Sequence, residues 1–125
     1  MLLSLSFNAN SSVNFECIIA EVVEIDDEGR IVNTDSPFAL GKVGQRFAVD
    51  GVTGKIVGSP ILSNEGITGF PRVTKRGKDN SFIAVTNYES GDVSVVKIYE
   101  YKKPMQFVYL STSVGGISTG VCSYY

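Results

Sequence analysis

Short runs of alternating apolar and polar residues, separated by turn residues, extend along most of this 125-residue chain. The runs are rich in β-branched and aromatic side chains, which favour extended strands. Glycine, proline, asparagine and aspartate fill the gaps between the runs and mark tight turns. The predicted strands are 13–25, 30–32, 46–50, 55–58, 67–75, 81–88, 93–101, 105–110 and 117–122.

This spacing predicts an all-β fold, a single antiparallel barrel or barrel-like sandwich of about eight short strands. Residues 13–125 would form one β domain. Residues 1–12 would be a flexible N-terminus or the remnant of a signal peptide, because a short apolar run precedes small polar residues there. Residues 37–40 are compatible with a single helical turn after the sequence Thr34-Asp35-Ser36.

The sequence predicts two β-hairpins most clearly. Asp50-Gly51-Val52-Thr53-Gly54 separates two short strands, and Glu89-Ser90-Gly91-Asp92 separates two longer ones. Aspartate accepts local backbone N–H bonds and glycine adopts a positive φ, so both segments predict turns. Asp50 with Thr53 and Gly54 would also be compatible with a ligand loop, but turn formation is the favoured interpretation.

The first long strand is predicted to place one set of alternate side chains on a single face. That face, interrupted by Glu21, comprises Phe15, Cys17, Ile19, Val23 and Ile25.

The chain has two cysteines, Cys17 near its start and Cys122 near its end. They lack metal-site spacing, so no metal site is predicted, and the choice is between two buried thiols and one disulfide. If the first and last strands are neighbours, the sheet closes and a Cys17–Cys122 bridge lies at the seam. A disulfide would require an oxidising compartment, whereas free thiols would suit the cytoplasm.

Composition excludes several functions. The formal net charge of −2 gives no electrostatic footprint for nucleic acid. Histidine is absent, which removes the commonest general base and the usual zinc ligand. No apolar run approaches the ~18 residues of a membrane-spanning helix. We therefore predict no cofactor and no catalytic residue, although an enzyme with paired carboxylates stays open.

Three further clusters have a structural interpretation that outweighs a functional one. The acidic run Asp26-Asp27-Glu28 predicts a solvated turn, because its spacing does not suit a calcium loop. Gly116-Ile117-Ser118-Thr119-Gly120 matches the nucleophile-elbow string, which needs an α/β sheet and a histidine to function. A basic cluster predicts a solvated loop that guards an edge strand; its members are Arg72, Lys75, Arg76 and Lys78.

The C-terminal half is rich in aromatic residues. These side chains would either pack in the core or form a surface for a ligand or partner. The candidate residues are Tyr88, Tyr99, Tyr101, Phe107 and Tyr109.

Several blocks occur together in a familiar order. They include Phe47-Ala48-Val49-Asp50, Asn80-Ser81-Phe82, Lys103-Pro104 followed by Phe107, and Ser118-Thr119-Gly120-Val121-Cys122. In this order the chain resembles a group of small exported bacterial proteins with no established activity. The resemblance spans about Phe15 to Cys122 and implies export and a bond between the two cysteines.

The sequence thus predicts a periplasmic or secreted, non-catalytic β domain that binds a protein or has a cell-envelope role. The alternative is a barrel that binds a small apolar ligand in its interior. The oligomeric state is left open.

Overall fold

The computed structural model describes residues 13–33, 42–59, 62, 64, 69–78, 80–113 and 116–125. These residues form nine strands and no helix. The strands are β1 (Phe15–Ile25), β2 (Ile31–Asn33), β3 (Arg46–Val49), β4 (Ile56–Val57), β5 (Gly69–Lys75), β6 (Ser81–Tyr88), β7 (Val93–Tyr99), β8 (Met105–Ser111) and β9 (Gly116–Tyr124). The proposed N-terminal segment 1–12 and the proposed helical turn 37–40 lie outside the described residues.

The strands form one antiparallel sheet, which confirms the predicted fold class. Its order is β4-β3-β1-β9-β8-β7-β6-β5, and β2 pairs with β1 beside this path. Strands β5 to β9 are a meander, because each pairs with the next along the chain. The sheet curls into a half-barrel. Within the described residues, its edge strands are β4 and β5.

The two cysteines join the first and last strands. Cys17 lies directly opposite Cys122 in the β1–β9 ladder, and their sulfur atoms form a disulfide across Cα atoms 4.0 Å apart. The predicted neighbour relationship of these strands is therefore confirmed. The bridge is not at a seam, however, because β3 and β4 extend the sheet beyond β1.

Alternate side chains of the curled sheet point into its concave side and form the core. Four fully buried phenylalanines fill much of this interior. Phe15 and Phe82 pack with ring centroids 5.0 Å apart, and Phe47 meets Phe107 edge-on at 5.0 Å. Aliphatic side chains surround the rings, among them Ile19, Val49, Ile56, Leu62, Val96 and Ile98.

A β-bulge at Ala20 shifts the side-chain alternation of β1. The β1–β9 register slips between Ile19 and Glu21, so the buried position moves to Val22. The predicted apolar face is therefore wrong beyond the bulge, and Ile25 is 49% exposed. The opposing strand carries Gly120 at this point, where a Cβ atom would lie 1.9 Å from the carbonyl oxygen of Ile18. Only glycine allows the two backbones to approach this closely.

The predicted turns have the expected local chemistry. Asp50 Oδ1 accepts hydrogen bonds from the backbone N–H groups of Val52 at 2.8 Å and Thr53 at 3.1 Å. Asp26 Oδ1 does the same for Glu28 at 3.0 Å and for Arg30 at 2.8 Å. Both acidic residues therefore form turns, as the sequence indicates.

Asn64 connects β4, at one end of the sheet order, with β6, which is next to the other end. Its Oδ1 accepts a hydrogen bond from the N–H of Ile56 in β4 at 2.6 Å. Its Nδ2 donates to the carbonyl oxygen of Gly54 at 3.0 Å and to Thr86 Oγ1 in β6 at 2.8 Å. The side chain is buried, so these bonds satisfy groups that water does not reach.

Candidate functional site

The five aromatic residues proposed as a ligand or partner surface fall into two regions at opposite ends of the half-barrel. Tyr88 and Tyr109 line a cavity beside the β6–β7 and β8–β9 turns. Tyr99 and Tyr101 lie at the β7–β8 turn, and their rings meet edge-on at 6.1 Å. Phe107 is 1% exposed and belongs to the core, although it also contributes to the floor of a shallow cavity beside Tyr99.

The region around Tyr99 combines aromatic rings with positive charge. Lys97 Nζ lies 4.8 Å and Lys102 Nζ lies 5.0 Å from the centroid of the Tyr99 ring. Both ammonium groups are attracted by the π-electrons of that ring. Lys102 also donates to Gln106 Oε1 at 3.2 Å, and Tyr101 is 60% exposed. We call Lys97, Tyr99, Tyr101 and Lys102 the tyrosine–lysine surface.

The acidic residue nearest to this surface in sequence is engaged elsewhere. Glu100 Oε2 accepts hydrogen bonds from the Tyr124 hydroxyl at 2.5 Å and from the backbone N–H of Lys78 at 2.6 Å. Desolvation and the Glu100 carboxylate raise the pKa of Tyr124 to about 12. Glu100 is thus committed to a contact between the β7–β8 turn, β9 and the turn after β5.

The tyrosine–lysine surface adjoins a shallow cavity of about 430 Å³ on the convex side of the sheet. Val108 and Val121 provide apolar side chains in its lining, and Val121 is 39% exposed. The cavity lies over the β1 bulge, since Ala20 and Gly120 also line it. The local irregularity of the sheet therefore shapes a concave surface beside the two lysines.

The cavity beside Tyr88 and Tyr109 has a different lining. Its volume is about 230 Å³, and six of its ten lining residues carry a hydroxyl group. We call it the hydroxyl pocket; its lining comprises Lys42, Leu62, Tyr88, Ser90, Asp92, Tyr109, Ser111, Ser113, Gly116 and Ser118. Burial raises the pKa of Tyr109, and contacts of its hydroxyl with Ser94 and Ser111 act in the opposite direction.

The remaining sequence candidates have structural positions. Arg72 and Lys75 lie on β5, at one end of the sheet order, and Arg76 and Lys78 lie in the turn that follows. This position suits their predicted role as guards of an edge strand. Ser118 lies within β9 rather than at a strand-to-helix turn, so the geometry of a nucleophile elbow is not present there.

Sequence reasoning did not single out Lys42 or Asn64. Lys42 lies in the segment Gly41-Lys42-Val43-Gly44, a setting that is typical of an exposed loop, yet it is 2% exposed and lines the hydroxyl pocket. Asn64 stands in a connection where its amide had no predicted partner. No local motif indicates either residue. Asn64 bonds to Gly54, Ile56 and Thr86. The other residues that line the pocket with Lys42 come from later parts of the chain.

Comparison with protein-family models, with curated proteins and with solved structures finds no match for this chain. The resemblance to exported bacterial proteins therefore stays a prediction. In the part of the chain that the structure describes, no helix has the length and apolar character needed to cross a membrane. Within the same residues, no group of three or more acidic, cysteine or histidine side chains is placed to hold a metal ion.

Proposed function

We propose that this protein is an exported, non-catalytic binding domain that docks an acidic protein partner on the tyrosine–lysine surface. The observation that carries the proposal is the placement of two ammonium groups, Lys97 and Lys102, on one tyrosine ring. Tyrosine is enriched at protein interfaces, because it buries a large apolar area and keeps a polar hydroxyl. A partner that presents carboxylates would meet both lysines and the exposed ring of Tyr101.

Export is supported by the Cys17–Cys122 disulfide. Both cysteines are buried, and structural disulfides form and persist in oxidising compartments such as the periplasm and the extracellular space. A non-catalytic role is supported by composition, since a chain without histidine lacks the residue that most enzymes use for proton transfer near neutral pH.

The alternative of an apolar ligand inside the barrel has less support. Phe15, Phe47, Phe82 and Phe107 occupy the concave side, each at most 2% exposed. A ligand in that position would have to displace well-packed rings, and the core would lose their contacts with one another.

Site-specific photo-crosslinking in cells tests the docking surface. A photoreactive residue at position 101 should yield one discrete adduct, while the same residue at Val52, which is 55% exposed in the β3–β4 turn, should not. Mass spectrometry then identifies the partner for binding measurements with purified proteins.

Charge variants of the purified protein complete the test. Lys97→Glu with Lys102→Glu should weaken binding of the identified partner at least tenfold, whereas Lys97→Arg with Lys102→Arg should keep most of the affinity. The affinity should also fall as salt concentration rises. Equal adducts at positions 52 and 101, or unchanged affinity after charge reversal, would contradict the proposal.

A further inference from the structure

The hydroxyl pocket lies at the opposite end of the half-barrel from the tyrosine–lysine surface. It is bounded by the β6–β7 turn, which carries Ser90 and Asp92, by Ser113 just after β8, and by Gly116 at the start of β9. Its volume of about 230 Å³ corresponds to roughly eight water molecules. The pocket is therefore large enough for a small polar molecule and too small for a folded partner.

A buried cation lines this pocket. Lysine side chains are rarely fully buried, because removing an ammonium group from water is costly unless polar groups surround it. Lys42 is 2% exposed, and six of the other nine residues that line the pocket carry a hydroxyl group. An ammonium group carries three N–H donors, so Lys42 can bind a ligand carboxylate in addition to any protein partner.

The serines of the pocket add groups that both donate and accept hydrogen bonds. Ser111 lies on β8 and Ser118 lies on β9 opposite Tyr109, and Ser118 is 4% exposed. Ser90 and Ser113 lie on the turns at the rim. Such hydroxyl groups can donate a hydrogen bond to a ligand hydroxyl or accept one from it, so the wall suits a molecule that carries several hydroxyls.

Asp92 limits the charge that the pocket accepts. Its Oδ2 accepts a hydrogen bond from Ser90 and its Oδ1 accepts one from Thr112, both at 3.0 Å. Each carboxylate oxygen has a second lone pair, which can accept a bond from a ligand hydroxyl. The same negative charge offsets that of Lys42, so the pocket favours a singly charged anion over a doubly charged one such as phosphate.

Two aromatic rings complete the lining. Tyr109 is 6% exposed and Tyr88 is half-buried, so their rings offer apolar surface beside the polar wall. A pocket with one cation, several hydroxyls and aromatic rings matches a compact ring that carries one carboxylate and several hydroxyls. We propose that the hydroxyl pocket binds a small acidic sugar of this kind through Lys42.

This site is separate from the proposed protein-docking surface, so either can fail without the other. Amide chemical shifts of the isotopically labelled protein report binding directly. Glucuronate should shift the amides of Ser90, Gly91, Ser111 and Ser113 in a saturable manner. Glucose, which lacks the carboxylate, and acetate, which lacks the hydroxyls, should each bind at least tenfold more weakly.

Two variants test the residues that carry the proposal. Lys42→Met should weaken glucuronate binding at least tenfold, while Lys103→Met, an exposed lysine in the β7–β8 turn, should leave it unchanged. Because a buried substitution can impair folding, Ser111→Ala provides a second variant that removes one hydroxyl of the lining at a partly exposed position. It should weaken glucuronate binding severalfold and leave the amide chemical shifts of core residues outside the pocket unchanged.

Four results would overturn the proposed acidic-sugar site. Glucose binding as tightly as glucuronate would remove the role of the cation, and acetate binding as tightly would remove the role of the hydroxyls. An absence of saturable shifts in the pocket with glucuronate would exclude the acidic sugar itself. Undiminished glucuronate binding by folded Lys42→Met would show that Lys42 does not bind the ligand.

Discussion

Asn64 Nδ2 donates a 2.8 Å hydrogen bond to Thr86 Oγ1 and thereby joins two strands that are far apart in the sheet order. The same amide bonds β4 through Ile56, while Thr86 belongs to β6. Strand pairing alone connects these strands only through five intervening ones, which makes Asn64 a direct tie across the concave side. The curl of the half-barrel is thus held by a buried amide as well as by apolar packing.

Replacement of Asn64 by alanine should destabilise the protein by about 2–4 kcal/mol, because it leaves buried donors and acceptors without partners. Chemical denaturation of the two proteins measures this difference. Asn87→Ala, an exposed asparagine on β6, is the matched control and should change stability by no more than about 0.5 kcal/mol.

Thr86→Val provides a finer comparison, since it keeps the shape of the side chain and removes the hydroxyl. It should cost about 1 kcal/mol in the wild type and less in the Asn64→Ala background. Equal costs in both backgrounds would show that the two side chains are not coupled.

The sequence predicts the strands well where the signal is local. The β6–β7 hairpin has alternating apolar residues and a turn of Glu89 to Asp92, and the structure differs only by ending β7 at Tyr99 instead of 101. Glycine and aspartate at Asp50–Gly54 likewise encode their turn through bonds to neighbours in the chain. Such features depend on a few consecutive residues and need no tertiary information.

The features that the sequence does not reveal depend on distant partners. The bulge at Ala20 requires Gly120 on the opposing strand, and it reverses the inward face of the rest of β1. The hydroxyl pocket gathers Lys42, Tyr88 and Ser118 from three parts of the chain. Neither can be predicted until the order and register of the strands are known, because a shift of one residue exchanges the two faces.

The disulfide should contribute strongly to stability, because Cys17 and Cys122 are separated by 105 residues. In the chain-entropy model, closing a loop of this size in the unfolded chain stabilises the folded state by about 4–5 kcal/mol. Cys17→Ala with Cys122→Ala should lose most of that amount in denaturant melts. Thiol titration of protein purified from its native compartment should find no free thiols, and two free thiols per chain would refute the bond.

Asp50 should stabilise the β3–β4 turn through its two bonds to backbone N–H groups. Asp50→Ala removes the Oδ1 acceptor of both bonds and should lower stability by about 0.5–2 kcal/mol, by analogy with helix-capping losses. Asp50→Asn keeps an Oδ1 acceptor and should lie close to the wild type. Identical denaturation midpoints for Asp50→Ala and wild type would mean that the side-chain bonds do not stabilise the turn.

Tyr124 should titrate later than an ordinary tyrosine. The Tyr124 hydroxyl donates a hydrogen bond to the Glu100 carboxylate at 2.5 Å. Desolvation and this carboxylate raise the pKa of Tyr124 to about 12 from the usual value of 10.0. The residue is 47% exposed, so the Glu100 contact rather than burial is the cause that we expect to dominate. Ultraviolet absorbance of phenolate, compared between wild type and Tyr124→Phe, isolates this titration.

The effect on stability follows from the direction of the pKa shift. The folded state keeps the Tyr124 proton up to about pH 12, whereas the unfolded chain releases it near the usual pKa of 10.0. The folding stability that this proton contributes is therefore fully present below pH 10 and is lost as the pH rises through 12. Glu100→Gln retains an oxygen acceptor for the N–H of Lys78 but removes the charge, so the pKa of Tyr124 should return toward 10. If Tyr124 titrates at the same pH in wild type and Glu100→Gln, the carboxylate does not set its pKa. In that case burial would be the cause.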